Sequence, residues 1–349
     1  MDNQTDYSSL GPGFETNDSK KKNGVPIPVL LFVLVSLLLA GISMKLFPES
    51  LSEYRIFSQA EERTKSGETA AALWDLYEVQ EEHPKSLPVT LKLIELSMES
   101  GYYDLAAHVF NEYLVGKNLT DGQYAKMMRY SRRLDSYYLT YDSIEELMAG
   151  LEEGAEEGES EAVTEARASR FREELSKLHA DEGQDQAYLY YYEAIMAQDP
   201  DTYYEFLQKS YAVDPELFDL RVLLGNAERS RGNFTKAHAF LEEALAKEAK
   251  DAGALRGLAV LSMLEQDKKG ALEKARQAYE SDPNSMYVRD TYLIALHLNQ
   301  DEEGKEAMIR EIEELEGPLE EDTRQLLEGS LTLQEYYMET TESKVGGSI

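Results

Sequence analysis

Side chains able to exchange protons, hold metals or attack a carbonyl are plentiful in this chain, but they do not converge. The five histidines (His83, His108, His179, His238, His297) show no metal-ligand spacing, and His108 and His238 occupy comparable slots of one recurring pattern, which points to a structural role. With no cysteine, thiol nucleophiles, thiolate zinc sites and disulfides are excluded. Asp and Glu number 67, so two carboxylates close in sequence say nothing about acid–base catalysis. No phosphate-binding glycine loop, H-E-x-x-H helix, G-x-S-x-G elbow or EF-hand loop is present, and Gly11-Pro12-Gly13 lies in a polar tail with no strand before it. The expectation is a protein with no catalytic residue, no cofactor and no metal.

What the chain does offer is chemistry for holding a polypeptide. It carries 23 tyrosines, clustered at Tyr137-Tyr138-Tyr141, Tyr190-Tyr191-Tyr192 and Tyr203-Tyr204. Tyrosine gives wide amphipathic contact at small entropic cost, and it also fills gaps between packed helices. The formal charge of −32 argues against nucleic acid, because neutralising phosphates requires a basic face. The same charge keeps the soluble part away from anionic lipid headgroups.

Two kinds of element must position these residues. The first is an anchor. Residues 25–44 carry no charge and contain Val25-Pro26-Ile27-Pro28 at their start, where a missing N–H costs a helix least. As a helix this stretch rises roughly 30 Å, enough to cross a hydrocarbon core. Lys20, Lys21 and Lys22 precede it, only Lys45 follows it closely, and Pro48 stops it. The excess of lysine on the N-terminal side sets a cytoplasmic tail and puts the larger C-terminal part across the membrane. A cleaved signal peptide fits less well, since the charged region is long and only Gly41-Ile42-Ser43 loosely resembles a cleavage site.

The second element is a repeat. A shift of 34 residues places Leu224 on Leu258, Gly225 on Ala259, Ala237 on Ala271 and Ala244 on Ala278; near the N-terminus it places Gly67 on Gly101 and Ala72 on Ala106. Small residues let two helices approach, large ones such as Leu76, Phe110 and Leu241 fill the gap to the next pair, and glycine permits the bend. One such hairpin cannot bury its apolar face alone, so several must stack. Gly101-Tyr102-Tyr103-Asp104-Leu105-Ala106 with Phe110, and Gly232-Asn233-Phe234-Thr235-Lys236-Ala237 with Leu241 and Ala244, carry a pattern that resembles the tetratricopeptide repeat family. That resemblance implies an all-α, right-handed α-solenoid of helical hairpins, here in two sub-arrays behind one N-terminal transmembrane helix. It also implies a non-enzymatic protein-binding role.

Carried through the chain, the register starts units near Glu53, Leu87, Asp121, Gln184, Phe218, Ala252 and Met286. The expected organisation is a disordered cytoplasmic tail (1–24), a transmembrane helix (25–47), a three-unit sub-array (53–154), an acidic linker with an extra helix (155–183), a sub-array of about four units (184–319), and a C-terminal helix with a disordered tail (320–349). In the linker Phe171, Leu175 and Leu178 share one helical face. The phase turns Tyr188, Tyr192, Asn226, Arg229, Arg256, Met263, Asp290 and His297 inward, toward the concave face where a partner segment would lie. Family members that clamp a peptide C-terminus use a Lys/Arg and Asn set, of which only Asn226 is matched; Val222 and Val260 stand at two of the other positions. The expectation is a single-pass scaffold or adaptor of the bacterial plasma-membrane type, with its array outside the membrane and a protein or peptide as partner; self-association is compatible with it. Alternatives are an assembly factor or structural subunit of a membrane complex, and a receptor facing the cytosol.

Overall fold

Two antiparallel helices joined by a short link are readily reversed through one residue in the left-handed region, as at every hairpin described below except α7/α8. The computed structural model, which describes residues 35–36, 54–152 and 161–339, puts Gly67, Gly101, Gly232, Gln266 and Gln300 there, with φ between 61° and 80°. Each bend is closed by the same bond, from the next amide to the carbonyl five residues back. The pairs are Glu68 to Arg63, Tyr102 to Ser97, Asn233 to Glu228, Asp267 to Ser262 and Asp301 to Leu296, at 2.8–3.1 Å. Positions 67 and 101, and positions 232, 266 and 300, are each 34 residues apart, so one geometric unit recurs at the interval read from the sequence.

The described helices are α1 (54–65), α2 (Thr69–Glu82), α3 (Leu87–Glu99), α4 (Tyr103–Val109, continued by a π turn at Phe110–Leu114) and α5 (Asp121–Glu152). There follow α6 (Glu161–Leu178), α7 (Gln186–Ile195), α8 (Pro200–Val213), α9 (Leu220–Ser230) and α10 (Phe234–Lys247). The last are α11 (Ala252–Leu264), α12 (Lys268–Ser281), α13 (Met286–Leu298), α14 (Glu302–Leu315) and α15 (Glu321–Glu328). Hairpins form as α1/α2, α3/α4, α7/α8, α9/α10, α11/α12 and α13/α14. The small residues Ala72, Ala106, Ala237 and Ala271 are fully buried at the start of the second helices. Lys305, at the corresponding place in α14, is half-buried and pairs with Glu302, which keeps its charge out of the core.

Some sequence expectations need correction, and others fall outside the described residues. Residues 121–152 form one 32-residue helix, not the expected third hairpin. The bend would fall at Asp135, and Arg132-Arg133-Leu134-Asp135-Ser136-Tyr137 contains neither glycine nor proline to interrupt a helix, so the helix runs on. The expected extra helix exists as α6, but it is packed rather than linking: Phe171 and Leu175 are buried against Ile144 of α5 and Leu189 of α7. One apolar cluster runs from Ala60 through Tyr137 and Tyr188 to Ala227, so the two groups of hairpins share a core, and Glu53–Ile349 is a single compact unit. The predicted anchor at 25–47 lies outside the described residues except Val35 and Ser36, which are helical. The tail at 1–24, the start of the acidic linker at 153–160 and residues 340–349 also lie outside them. Among the described residues no helix is long and apolar enough to cross a membrane.

Two joints connect the groups. At the first, Arg133 of α5 pairs with Asp185, and with Asp214 at 2.6 Å, while the Tyr103 hydroxyl donates to Asp214. Asp185 is also the N-cap of α7, accepting from the amides of Ala187 and Tyr188, so one guanidinium fixes where the second group of helices begins. At the second joint, Ala249 donates its amide to the Gly67 carbonyl at 2.6 Å and the Thr69 hydroxyl donates to the Lys247 carbonyl at 2.8 Å. Close by, a Cβ on Gly101 would stand 2.0 Å from the Glu216 carbonyl oxygen, so only glycine fits.

Removing Arg133 leaves two largely buried carboxylates without their cation. Arg133→Ala is expected to cost about 2–4 kcal/mol in equilibrium unfolding, below the full cost of breaking a buried pair because the arginine is partly exposed. Combined with Asp214→Ala, it is expected to cost less than the sum of the two single changes. Additive costs in urea melts would show that the cluster is not a joint.

Candidate functional site

The candidate site follows from what the first helices of successive hairpins turn to one side. Arg229 on α9, Arg256 on α11 and Asp290 on α13 line a cleft of about 410 Å³, with Asn226 one turn before Arg229. The cleft is not left to solvent. After α15 the chain bends at Gly329 (φ 79°) and returns across the same face as a strap, 331–339. Thr332 starts its single π turn, Glu335–Glu339, by accepting from the Glu335 amide while its own amide and hydroxyl donate to the Glu335 carboxylate at 2.8 and 2.7 Å. That reciprocal arrangement is a capping box at the start of a very short helical segment.

The strap is held by its aromatic pair. Tyr337 is 5% exposed and shares an apolar cluster with Ala259, Val260 and Met263 of α11 and Leu326 of α15. Its carbonyl accepts from Arg229 Nη1 at 2.8 Å, and the guanidinium lies 5.9 Å from its ring. Tyr336 donates its hydroxyl to Asp290 Oδ2 at 2.6 Å, and Thr323 donates to Asp290 Oδ1 at 2.8 Å. Beyond Tyr337, Met338 borders a second cleft of about 340 Å³ that also touches Asn226 and Arg229.

The electrostatics of the floor are unusual for so acidic a chain. Arg229 is 5% exposed, and no carboxylate among the described residues lies within ion-pair distance of it. Burial, reinforced by repulsion from Arg256, lowers its pKa to about 10, so it stays charged at neutral pH. Its Nε and the Oδ1 of Asn226 are buried and lack a hydrogen-bond partner among the described residues. Arg256 donates instead to the Tyr287 carbonyl and the Thr291 hydroxyl, both at 3.1 Å. Asp290 is half-buried by surface area, yet both oxygens sit under Thr323 and Tyr336. Desolvation raises its pKa, and those two hydrogen bonds and Arg256 oppose the rise without cancelling it.

The structure thus brings Asn226, Arg229, Arg256 and Asp290 together on one cleft, with Met263 (2% exposed) beneath the strap in its apolar floor. It does not bring the other three residues there. Tyr188 is 3% exposed and stacked on Tyr137 at 5.0 Å, and Tyr192 is tilted against it at 5.4 Å. Both fill the seam between α5 and α7: the continuous α5 presents Tyr137 where a hairpin bend was expected, and that ring covers them. His297 turns to the opposite side, toward Lys268, Glu302 and Lys305, where burial and the nearby lysines lower its pKa. His108 and His238 meet Tyr77 and Glu265 of neighbouring helices at 3.1 Å. Sequence reasoning missed Tyr336, Tyr337 and Thr323, which no repeat register addresses; the only signal was an aromatic pair in a segment otherwise read as an end. Among the described residues no group of His, Asp and Glu is placed to hold a metal ion.

No family model and no curated protein matches this chain. Solved structures similar to it include yeast Tom70 (10% identity, 84% of this chain and 66% of that chain, TM-score 0.35). Others are IFIT1 with m7Gppp-AAAA (17%, 81% and 60%, TM-score 0.32) and the TPR2AB domain of yeast Sti1 in a pHSP90 complex (14%, 84% and 99%, TM-score 0.23). The chain spans about two thirds of the Tom70 chain and less of the IFIT1 chain. The fold assignment rests on the recurring bends and helix pairs of the chain itself.

A carboxyl whose pKa is raised on folding stabilises the fold while protonated, fully below its unfolded value near 3.8, and that contribution is lost as pH rises through the folded pKa. Asp290→Asn is therefore expected to melt higher than the parent at pH 8, by about 2 °C or more, with the gap closing toward pH 4. A gap that does not change across thermal melts in that pH range would contradict the assignment.

Proposed function

We propose that this chain is a membrane-anchored helical-repeat scaffold that docks a segment of a protein partner on the face formed by α9, α11 and α13. The observation that carries the reading is the cleft with its strap: the surface already holds a short, non-repeat stretch of polypeptide. It does so by a side-chain bond to a main-chain carbonyl and by burying one aromatic ring. Those are general means of peptide capture, indifferent to most of the bound sequence. The anchor is read from the uncharged stretch 25–44 and its flanking lysines, which also set the array outside the cytoplasmic membrane. Confinement to a membrane raises the effective concentration of scaffold and partner together.

A second reading, permanent packing against another membrane subunit, draws on the N-terminal hairpins. Trp74 is 70% exposed and stacks on Tyr77, and Val115 and Tyr124 border an open cleft of about 440 Å³.

The two readings separate by photocrosslinking in native membranes. A photoreactive residue at Asn226 is expected to give an adduct heavier than the chain, abolished by Arg256→Glu, whereas one at the exposed Glu273 of α12 gives none. An adduct from position 74 but not 226 would favour the second reading and sink the first. Protease added to intact cells is expected to digest the array; full protection would place it on the cytosolic side.

A further inference from the structure

The strap occupies the groove and leaves part of it unused. Tyr337 fills the apolar floor and Tyr336 satisfies Asp290. At Arg229, however, the strap offers a carbonyl and the face of the Tyr337 ring but, among the described residues, no carboxylate, although the residue is a buried cation whose Nε, like the Oδ1 of Asn226 one turn before it, lacks a hydrogen-bond partner there. A buried guanidinium gains far more from a carboxylate than from a neutral oxygen, because the ion pair is formed where water does not screen it. The side chain next in line, Met338, borders the cleft that contains Arg229 and brings no charge to it. The strap is therefore an incomplete ligand for its own site. It follows the left-handed bend at Gly329 and makes no repeat-type hairpin with any described helix.

Resting on the docking function proposed above, we infer that the strap is an internal competitor, and that the groove's external ligand is a protein segment with two adjacent aromatic residues and, directly after them where the strap carries Met338, an acidic side chain set against Arg229. Such a segment reproduces the Tyr336 and Tyr337 contacts and adds the ion pair that the strap lacks. That difference lets it displace a ligand which, being tethered, has the advantage of high local concentration. Asp290, Glu316 and Glu320 line the same cleft, but Asp290 is engaged by Thr323 and Tyr336 and Glu316 by Arg289, so the acidic side chain is matched to Arg229 itself and not to the charge of the cleft or of the chain.

The test uses the full chain and two labelled peptides: the sequence of residues 329–340, and the same sequence with Met338→Glu. Tyr336→Ala/Tyr337→Ala in the protein is expected to remove hydrogen-exchange protection from 331–339 while leaving that of α9 and α11 intact. The native-sequence peptide should then bind this variant at least tenfold more tightly than the parent. The Met338→Glu peptide should bind about tenfold more tightly than the native one, and Arg229→Gln should erase that gain. Equal affinity of the native peptide for parent and variant would show a docking groove without internal competition, overturning the inference but not the proposed function. No binding to a variant whose strap is released would overturn both. A strap that stays protected in the variant refutes its aromatic attachment. A gain from Met338→Glu that survives Arg229→Gln refutes the acidic component.

Discussion

One guanidinium decides how the two groups of helices meet. Arg133 sits midway along α5, where the repeat has just been broken by a helix that fails to bend, and it neutralises two carboxylates that each organise a chain reversal. Asp185 caps the start of α7, and Asp214 accepts from the Glu216 amide just after α8. A stack of hairpins needs each unit to be presented to the next at a fixed angle, and a 32-residue helix offers no bend to set that angle. The ion pairs set it instead, and the ring of Tyr103, stacked under the guanidinium at 4.9 Å, closes the arrangement from the other side.

The regular part of the fold was legible because a bend and a close helix crossing each demand a particular residue type. Gly67, Gly101 and Gly232 announce bends, and Ala72, Ala106, Ala237 and Ala271 announce crossings. Gln266 and Gln300 take positive φ without being glycine, since the six-to-one bond and the helices on both sides over-determine the bend. The failures have equally local causes. Periodicity cannot report a missing bend when the residues there tolerate helix as well as anything else, and so α5 was read as two helices. Its continuity in turn buries Tyr188 against Tyr137, away from the concave position that the repeat register assigns to it. Asn226, Arg229, Arg256 and Asp290 were found because they lie on regular helices. The strap was not, because its one short helical turn (Glu335–Glu339) lies outside the repeat and is too brief to show a period.

Charge is distributed with a purpose that composition alone conceals. Most of the acidic excess lies on exposed helix faces, several of its carboxylates paired with lysine or arginine one turn away, as in Glu273 with Arg276 and Glu173 with Lys177. The few arginines withdrawn from that surface are the ones that organise structure. Arg221 and Arg289 stand 68 residues apart, two repeat periods, and each donates to the carbonyl of a proline, Pro215 and Pro283, six residues earlier. In an acidic chain a buried arginine marks either a joint or a site.

The bonds from Gly67 and Thr69 to Ala249 and Lys247 also bear on how the chain reaches its folded state. An ideal solenoid is built from neighbour contacts, folds outward from any point and unravels from its ends. Here residues separated by 178 positions must meet, and Arg229 must find a carbonyl 108 positions further on. Such closures slow folding, since the entropy of bringing distant segments together is spent before the contacts reward it. During synthesis the Gly67 carbonyl and the Thr69 hydroxyl can meet their partners only after Ala249 has emerged. Once closed, the ends can no longer fray independently, and the array gains the all-or-none character of a globular domain.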